Sequence, residues 1–380
     1  MMQTGSKSKL IPALLLGAAM GGAAVAVLPP VAGPAQALAA QTGGYADLVA
    51  RVMPAVVSIE VTKKLPAAGF NPADMPPGNP FEEFARRFGI PLPPMMPNGA
   101  TPEMKGAGTG FIISASGDIV TNSHVVEHAD SITVILADGT RLQAKVVGAD
   151  PATDLALVRV EAGRDLPHVE WGDSAALRLG QDVIAIGNPF GLGNSVTAGI
   201  VSALGRDIHA GPFDDYIQTD AAINRGNSGG PLFDAEGKVV GINTAIFSPT
   251  GGSVGIGFAV PSNLARQVIA DLADDGQVER GWLGVAIQPV SDDIAAALGL
   301  EKAQGALVAE VTPDSPAAKA GLKRGDVIRA VNGQTVKGPR DLTRLIATAK
   351  PGSKVELELL RAGKPTGRTV TLGNRAEQPA

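Results

Sequence analysis

Ser228 lies in the stretch of this sequence best suited to nucleophilic chemistry. The run GNSGGP at 226–231 places a serine among glycines, directly before an apolar strand pattern. A nucleophilic serine needs an exposed hydroxyl on a tight turn, and glycines leave the neighbouring backbone N–H groups open to an oxyanion. An ordinary turn between two strands can have the same composition. The run therefore indicates a nucleophile only if the chain also supplies a base and a group that orients it.

The base would have to be one of four histidines. His124 lies in TNSHVV, just past a short strand pattern, where a β-barrel would present a side chain at its rim. His168 and His209 occur in polar loops and are expected to be solvated. We therefore expect His124 to be the base, although a surface histidine could occupy the same position.

A carboxylate must fix the tautomer of the imidazole and stabilise its cation. Asp154 is the best candidate because it opens the apolar run LALVRV and would lie half buried at the end of that strand. Asp150 and Asp220 are alternatives that the residues alone leave open.

A zinc site is a competing hypothesis, because HVVEH at 124–128 fits the H-x-x-E-H pattern of some metalloproteases. Zinc would require His124 and His128 one turn apart on a stable helix, together with a third protein ligand. The β-branched Val125 and Val126 instead lead into the strand pattern SITVILA. We therefore expect no metal site.

Composition excludes several other classes of function. The chain has no cysteine, so we expect no thiolate chemistry. Its 32 basic and 37 acidic residues give a net charge of −5 without any block of like charge, so we expect no nucleic-acid partner. The glycine-rich stretches 106–110 and 187–193 lack a phosphate-binding spacing and lead into strand patterns. We expect no cofactor.

Short strands must position the serine, the histidine and the aspartate. The run AVVSIEVT at 55–62 alternates in hydrophobicity, and ten further apolar runs separated by turns follow between 108 and 258, which predicts an all-β sandwich or a pair of barrels. These runs are TGFIIS, DIVTNS, SITVILA, RLQAKVVG, LALVRV, VIAIG, SVTAGIVSAL, YIQTD, KVVGINTAI and GIGFAV. A helix over 262–275, with Ser262 as its N-cap, closes this domain over residues 40–280.

Three other segments complete the organisation. Residues 65–105 form a proline-rich insertion that contains a phenylalanine-bearing helical pattern at 81–90. Alternating strand and helix patterns over 281–373 predict a small α+β domain, followed by a tail at 374–380. Residues 1–39 have the layout of a signal peptide, or of a signal anchor. We favour cleavage because the triplets Ala35-Gln36-Ala37 and Ala37-Leu38-Ala39 resemble a cleavage site.

The three motifs TNSHVV, ATDLALV and GNSGGP together resemble the trypsin-like HtrA/Deg serine proteases, as do GTGFII at 108–113 and QTDAAINRGNSGGPL at 218–232. The resemblance implies a mainly β fold, namely a trypsin-like double β-barrel followed by an α+β PDZ domain. It places His124 and Asp154 on the first barrel and Ser228 on the second, and makes the amides of Gly226 and Ser228 the oxyanion donors. It also implies that the loops 188–195, 204–213 and 247–255 control activation and specificity.

Three apolar residues correspond by resemblance to the walls of the primary specificity pocket: Ile223, Ile246 and Phe247. Because no charge lines such a pocket, we expect cleavage after small or medium aliphatic residues. The backbone over 243–245 is expected to pair with an extended substrate as an added strand.

Residues 280–285 resemble the carboxylate-binding loop of a PDZ domain. Leu283, Gly284 and Val285 would supply backbone donors to a peptide C-terminus, Arg280 would add charge, and the helix over 339–349 would form the other wall of the groove. A plain glycine-flanked strand start is the alternative.

The resemblance implies an ATP-independent endopeptidase of periplasmic protein quality control that acts on unfolded polypeptides. A soluble protein is favoured over an inner-membrane anchored one, and a homotrimer, or a larger assembly, is expected with aromatic contacts from Tyr45 or Phe81 to Phe88. Two alternatives are a membrane-tethered regulatory protease of envelope stress signalling and a chaperone or peptide-binding protein.

Overall fold

Two closed β-barrels of six strands each, followed by a smaller α+β domain, form the described part of the chain. The structure is a computed structural model that describes residues 44–64, 103–188, 193–208, 211, 213–249, 251–300 and 302–375. The signal segment, most of the proline-rich insertion with Phe81 and Phe88, and His209 lie outside these residues.

The first barrel has the strand order β1-β2-β3-β6-β5-β4. Its β-branched sequence explains the strands: along β1 the residues Val57, Ile59 and Val61 are fully buried, while the residues between them are half-buried. The helix α1 (Ala46–Val52) precedes the barrel, and the one-turn helix α2 (Ser123–Val126) lies between β3 and β4. The strands are β1 (Val56–Lys64), β2 (Glu103–Ile112), β3 (Asp118–Thr121), β4 (Ser131–Ile135), β5 (Arg141–Asp150) and β6 (Leu155–Val160).

The second barrel has the order β10-β11-β12-β9-β8-β7, which confirms the expected double barrel. Its strands are β7 (Asp182–Gly187), β8 (Ser195–Arg206), β9 (Tyr216–Thr219), β10 (Pro231–Phe233), β11 (Val239–Ile246) and β12 (Gly257–Pro261). Strand β10 is the apolar strand expected directly after the serine turn, although it has only three residues and is not among the ten apolar runs. The core of the first barrel continues into Ile184, Ile186 and Phe233 of the second, so the two barrels share one packed junction.

The closing helix α3 (Ser262–Asp274) buries Val268, Ile269 and Leu272 against the barrels. The predicted N-cap was wrong, because Ser262 is the first helical residue and Pro261 precedes it without a capping bond. The Ser262 hydroxyl instead donates to the carbonyl of Gly172 at 3.0 Å and accepts the Ser174 amide at 3.2 Å. Ser262 therefore fastens the helix to a preceding loop rather than capping the helix.

The C-terminal domain is built on the sheet β14-β15-β16-β18-β19, with β17 paired to β16 and a separate β13–β20 ladder. Its helices are α4 (Asp292–Ala297), α5 (Pro316–Lys319) and α6 (Pro339–Ala347). Its strands are β13 (Gly281–Trp282), β14 (Val285–Pro289), β15 (Ala306–Val311), β16 (Val327–Val331), β17 (Gln334–Thr335), β18 (Lys354–Arg361), β19 (Lys364–Thr371) and β20 (Gly373–Asn374).

Two expected boundaries differ from the structure. Strand β2 begins at Glu103 and pairs with the end of β1, so residues 103–105 belong to the first barrel rather than to the insertion. Asn374 pairs with Gly281, so the tail begins after the β13–β20 ladder. None of the helices in the described ranges is long and apolar enough to cross a membrane.

Candidate active site

His124 and Asp154 form a hydrogen-bonded pair at the rim of the first barrel. His124 lies on α2, and Asp154 occupies the turn before β6 in a left-handed conformation with φ 56°. The His124 Nδ1 lies 2.9 and 2.8 Å from the two carboxylate oxygens. Because an ionised carboxylate only accepts hydrogen bonds, Nδ1 carries the proton in neutral imidazole and Nε2 keeps its lone pair. His124 is therefore in the tautomer that a general base requires.

The Asp154 carboxylate is held by three further donors. It accepts the Ser123 hydroxyl at 3.0 Å and the His124 amide at 3.1 Å on one oxygen, and the Thr244 hydroxyl at 2.5 Å on the other. Burial raises the pKa of Asp154, but the neighbouring His124 and the bonds from His124 and Thr244 outweigh it and leave the pKa below its usual value. Asp154 is thus held ionised, as an orienting group must be.

Ser228 lies on a tight turn between β9 and β10, half-buried. Three amides of this turn donate to backbone carbonyls: Asn227 to Asn224, Gly229 to Asn243, and Gly230 to Asn227. Within the described residues, the amides of Gly226 and Ser228 have no acceptor. Two unpaired N–H groups within one turn, those of Gly226 and Ser228, can bind an oxyanion.

The Ser228 turn packs directly against β2 and β3, and β3 leads into the helix α2 that carries His124. Gly229 has φ 84°, and a Cβ there would lie 2.2 Å from both the Thr109 carbonyl oxygen and the Thr121 hydroxyl. Because Thr121 ends β3 just before α2, the Ser228 turn contacts the first barrel next to the helix that carries His124.

The alternative acids and bases have other partners. Asp150 accepts the guanidinium of Arg280, and Asp220 accepts the Ile200 amide at 2.7 Å. His168 Nδ1 lies 3.3 Å from the Leu166 carbonyl oxygen, away from any carboxylate contact in the described part of the chain.

The zinc hypothesis is not supported by the backbone. Helix α2 ends at Val126, and His128 has φ 60° beyond it, so His124 and His128 do not lie one turn apart on a helix. His128 Nε2 pairs with Glu127 at 3.4 Å. Over the described ranges no three histidine, aspartate or glutamate side chains cluster so as to hold a metal ion.

Comparisons with known proteins assign both parts of the chain. Residues 108–242 match the trypsin-like peptidase domain and residues 281–372 match the PDZ domain. A DegP-like periplasmic serine endoprotease of Brucella melitensis is 50% identical over 401 residues, which covers 96% of this chain and 76% of that protein. The chain belongs to the HtrA/Deg family of serine proteases. A DegP-like relative from Rhizobium meliloti is 47% identical over 365 residues, with 88% and 71% coverage.

Solved structures of HtrA/Deg proteases agree with this assignment. The HtrA-type protease AlgW in complex with a decapeptide is 41% identical, with a TM-score of 0.71 over 88% of this chain and 99% of that one. A serine endoprotease from Yersinia pestis is 32% identical, with a TM-score of 0.59 over 87% and 97%. The predicted fold and the predicted serine endopeptidase activity are confirmed.

In this HtrA/Deg protease, two of the three expected pocket residues lie together. Ile223 is 2% exposed within the core of the second barrel, and Ile246 packs against the same cluster. Phe247 is 61% exposed and does not share that cluster. Ile223 and Ile246 thus belong to one apolar cluster of the second barrel, whereas the Phe247 side chain is mostly exposed.

The PDZ domain has a cavity of about 260 Å³ between the 281–285 segment and α6. Leu283, Gly284 and Val285 line it, and among the described residues the amides of Leu283 and Gly284 have no acceptor. Across the cavity lie Leu342 and Ile346, as expected for the opposite wall. These features match a groove for a peptide C-terminus.

Arg280 does not have the geometry expected of a carboxylate-binding residue. Its guanidinium makes a two-pronged ion pair with Asp150 and lies 4.6 Å from the ring centre of Phe213. Arg280 was expected to add charge to the carboxylate-binding loop. This expectation is corrected because its guanidinium contacts Asp150 and Phe213 of the protease domain instead. Arg375 lines the groove instead and is the one charged side chain among its described lining residues.

Sequence patterns missed the residues that hold the Asp154 carboxylate and the Ser228 turn in place. Thr244 bonds the Asp154 carboxylate from the second barrel, and Thr109 bonds the Ser228 turn from the first. Both are threonines inside ordinary strand patterns, so only the pairing of the barrels shows what their hydroxyls contact.

Proposed function

We propose that Ser228, His124 and Asp154 form the catalytic triad of this endopeptidase. His124 Nε2 takes the proton of the Ser228 hydroxyl while the Ser228 oxygen attacks the scissile carbonyl carbon, and it delivers that proton to the amine as the C–N bond breaks. A water molecule, deprotonated by the same nitrogen, then hydrolyses the ester on Ser228, and the proton returns to the Ser228 oxygen. The amides of Gly226 and Ser228 donate to the oxyanion. The Asp154–His124 pair beside a glycine turn with two unpaired amides carries this proposal.

The substrates proposed are unfolded or extended polypeptides, cleaved after small or medium aliphatic residues. The apolar side chains of Ile223 and Ile246, which share one cluster of the second barrel, support this preference, since neither carries a charge that could pair with a basic or acidic side chain. A peptide library read by mass spectrometry tests the preference, and strong cleavage after arginine or lysine would contradict it.

The PDZ groove is proposed to bind peptide C-termini. The unpaired amides of Leu283 and Gly284 would receive the carboxylate, and the Arg375 side chain, at the rim of the groove, would add the charge that Arg280 cannot supply. The apolar Leu342 and Ile346 favour a hydrophobic final residue.

The cellular role proposed is protein quality control in the periplasm, by a homotrimer or a larger assembly that is soluble. The names of the relatives support a periplasmic location. Tyr45, expected as an aromatic contact between subunits, is half-buried and packs against the core of its own first barrel. Sedimentation equilibrium of the mature chain tests the trimer.

Hydrolysis of casein by the wild type and by Ser228→Ala tests the function, with and without a peptide ending in hydrophobic residues. We expect hydrolysis by the wild type alone, with a change in rate when the peptide is added. Equal hydrolysis by Ser228→Ala would reject the nucleophile, and a protein that binds casein without cleaving it would favour the chaperone alternative.

A further inference from the structure

Thr109 connects the two barrels at the nucleophile turn through both its backbone and its side chain. Its amide donates to the Ser228 carbonyl at 2.9 Å, and its hydroxyl donates to the Gly226 carbonyl at 2.6 Å. Thr109 is fully buried on β2 of the first barrel. It therefore binds the carbonyls of the same two residues whose amides have no acceptor.

The direction of the hydroxyl proton follows from a third bond. The Asn188 amide donates to the Thr109 hydroxyl oxygen at 2.9 Å. A hydroxyl has one proton to donate, and the Gly226 carbonyl can only accept, so the chain of donors runs from Asn188 through Thr109 to Gly226. The Thr109 carbonyl is occupied as well, since it accepts the Thr121 hydroxyl at 2.8 Å. Every polar group of Thr109 thus has a partner.

A glycine needs such an anchor more than other residues do. Gly226 has φ 98°, a region open to glycine, and glycine moves between backbone conformations at little steric cost. The Gly226–Asn227 peptide is planar and is fixed at both ends, by Thr109 at its carbonyl and by Asn224 at its N–H. Without the Thr109 hydroxyl, only the Asn227 N–H would hold this peptide. Rotation at Gly226 would then be free to turn the preceding peptide, which carries the Gly226 amide.

We propose that Thr109 is a positioning residue for the oxyanion hole: its hydroxyl, oriented by the Asn188 amide, fixes the conformation in which the Gly226 and Ser228 amides converge on the oxyanion. The inference rests on the proposed triad and oxyanion hole. Thr109 itself does not contact the substrate, so its removal affects the transition state rather than substrate binding.

Thr109→Val and Thr109→Ser, assayed as full-length proteins on a chromogenic peptide, test the inference. The loss of an oxyanion donor costs about 100- to 1000-fold in kcat, and a donor that is loosened rather than lost should cost less, about 10- to 100-fold. We expect that fall in Thr109→Val with an unchanged KM, and near wild-type kcat in Thr109→Ser. A peptide boronate, which forms a tetrahedral adduct with the serine, should lose affinity in parallel with kcat/KM.

A purely structural role predicts a different pattern. Equal impairment of the valine and serine variants, a raised KM with unchanged kcat, or unchanged boronate affinity would each overturn the inference. If Thr109→Val does not fold, the pair Thr109→Ala and Thr109→Ser differs by the hydroxyl alone and gives the same comparison. If Ser228→Ala loses hydrolysis but Thr109→Val retains the wild-type rate, the role of Thr109 is rejected. The proposed function would remain supported in that case.

Discussion

Removal of Arg280 should destabilise the protein far more than removal of an exposed arginine. The side chains of Arg280 and Asp150 are 13% and 6% exposed. Loss of one partner of a buried ion pair leaves an uncompensated charge and costs about 3–5 kcal/mol. The Thr153 hydroxyl remains bonded to Asp150 in Arg280→Met but carries no charge to replace the guanidinium.

A matched control exists in the first barrel. Arg141 contacts Glu60 with a similar two-pronged geometry, at 2.6 and 3.4 Å, but the two side chains are 55% and 45% exposed. Arg141→Met should therefore lower the free energy of unfolding by about 1 kcal/mol or less. The double variant Arg280→Met/Asp150→Asn removes both buried charges and should recover most of the loss.

Chemical denaturation at 25 °C measures these changes. The chain has two tryptophans, Trp171 in the protease domain and Trp282 in the PDZ domain. In a Trp282→Phe background the fluorescence of Trp171 reports unfolding of the protease domain, and in a Trp171→Phe background Trp282 reports unfolding of the PDZ domain. A loss below about 1 kcal/mol for Arg280→Met, or no recovery in the double variant, would refute the assignment of a buried pair.

Three further outcomes are expected. Thr244→Val removes a bond to a carboxylate, worth about 1.5–3 kcal/mol, so kcat/KM should fall about 13- to 160-fold, and Thr244→Ser should restore it. Burial raises the pKa of Asp215, Arg344 opposes this rise and Asp341 reinforces it, so the ionised carboxylate destabilises the folded state. Asp215→Asn should therefore raise the free energy of unfolding at pH 7, and this gain should vanish as the pH falls below about 3.9. A gain that stays constant with pH would contradict this prediction. Arg375→Met should weaken binding of a peptide C-terminus about 1.4- to 5-fold, as loss of an exposed ion pair does, while an amidated peptide should bind both proteins equally.

Strand patterns and motif order predicted most of the fold. Alternating β-branched runs found β1 and the long strands because one face of each is buried, and the GNSGGP run found the serine turn because glycines mark it. The three residues of β10 give no hydrophobic period, so only their position after the serine turn indicated a strand. The role of Ser262 was misjudged because its bond to Gly172 joins positions far apart in the chain.

Residues whose role depends on the partner across an interface could not be predicted from the sequence. Arg280 sits beside the carboxylate-binding loop in the chain, yet its charge is bound by Asp150 of the protease domain. Thr109 bonds the Ser228 turn and Thr244 bonds Asp154, likewise from strands of different barrels. Neither spacing nor residue type reveals such contacts, because they arise when separate elements dock.

Labelling with a fluorophosphonate, followed by peptide mapping, tests the central claim most directly. We expect one adduct in the wild type, on the peptide that contains Ser228, no adduct in Ser228→Ala, and strongly slowed labelling in His124→Ala because the base is missing. An adduct on another residue, or equal labelling of the wild type and His124→Ala, would contradict the proposed triad.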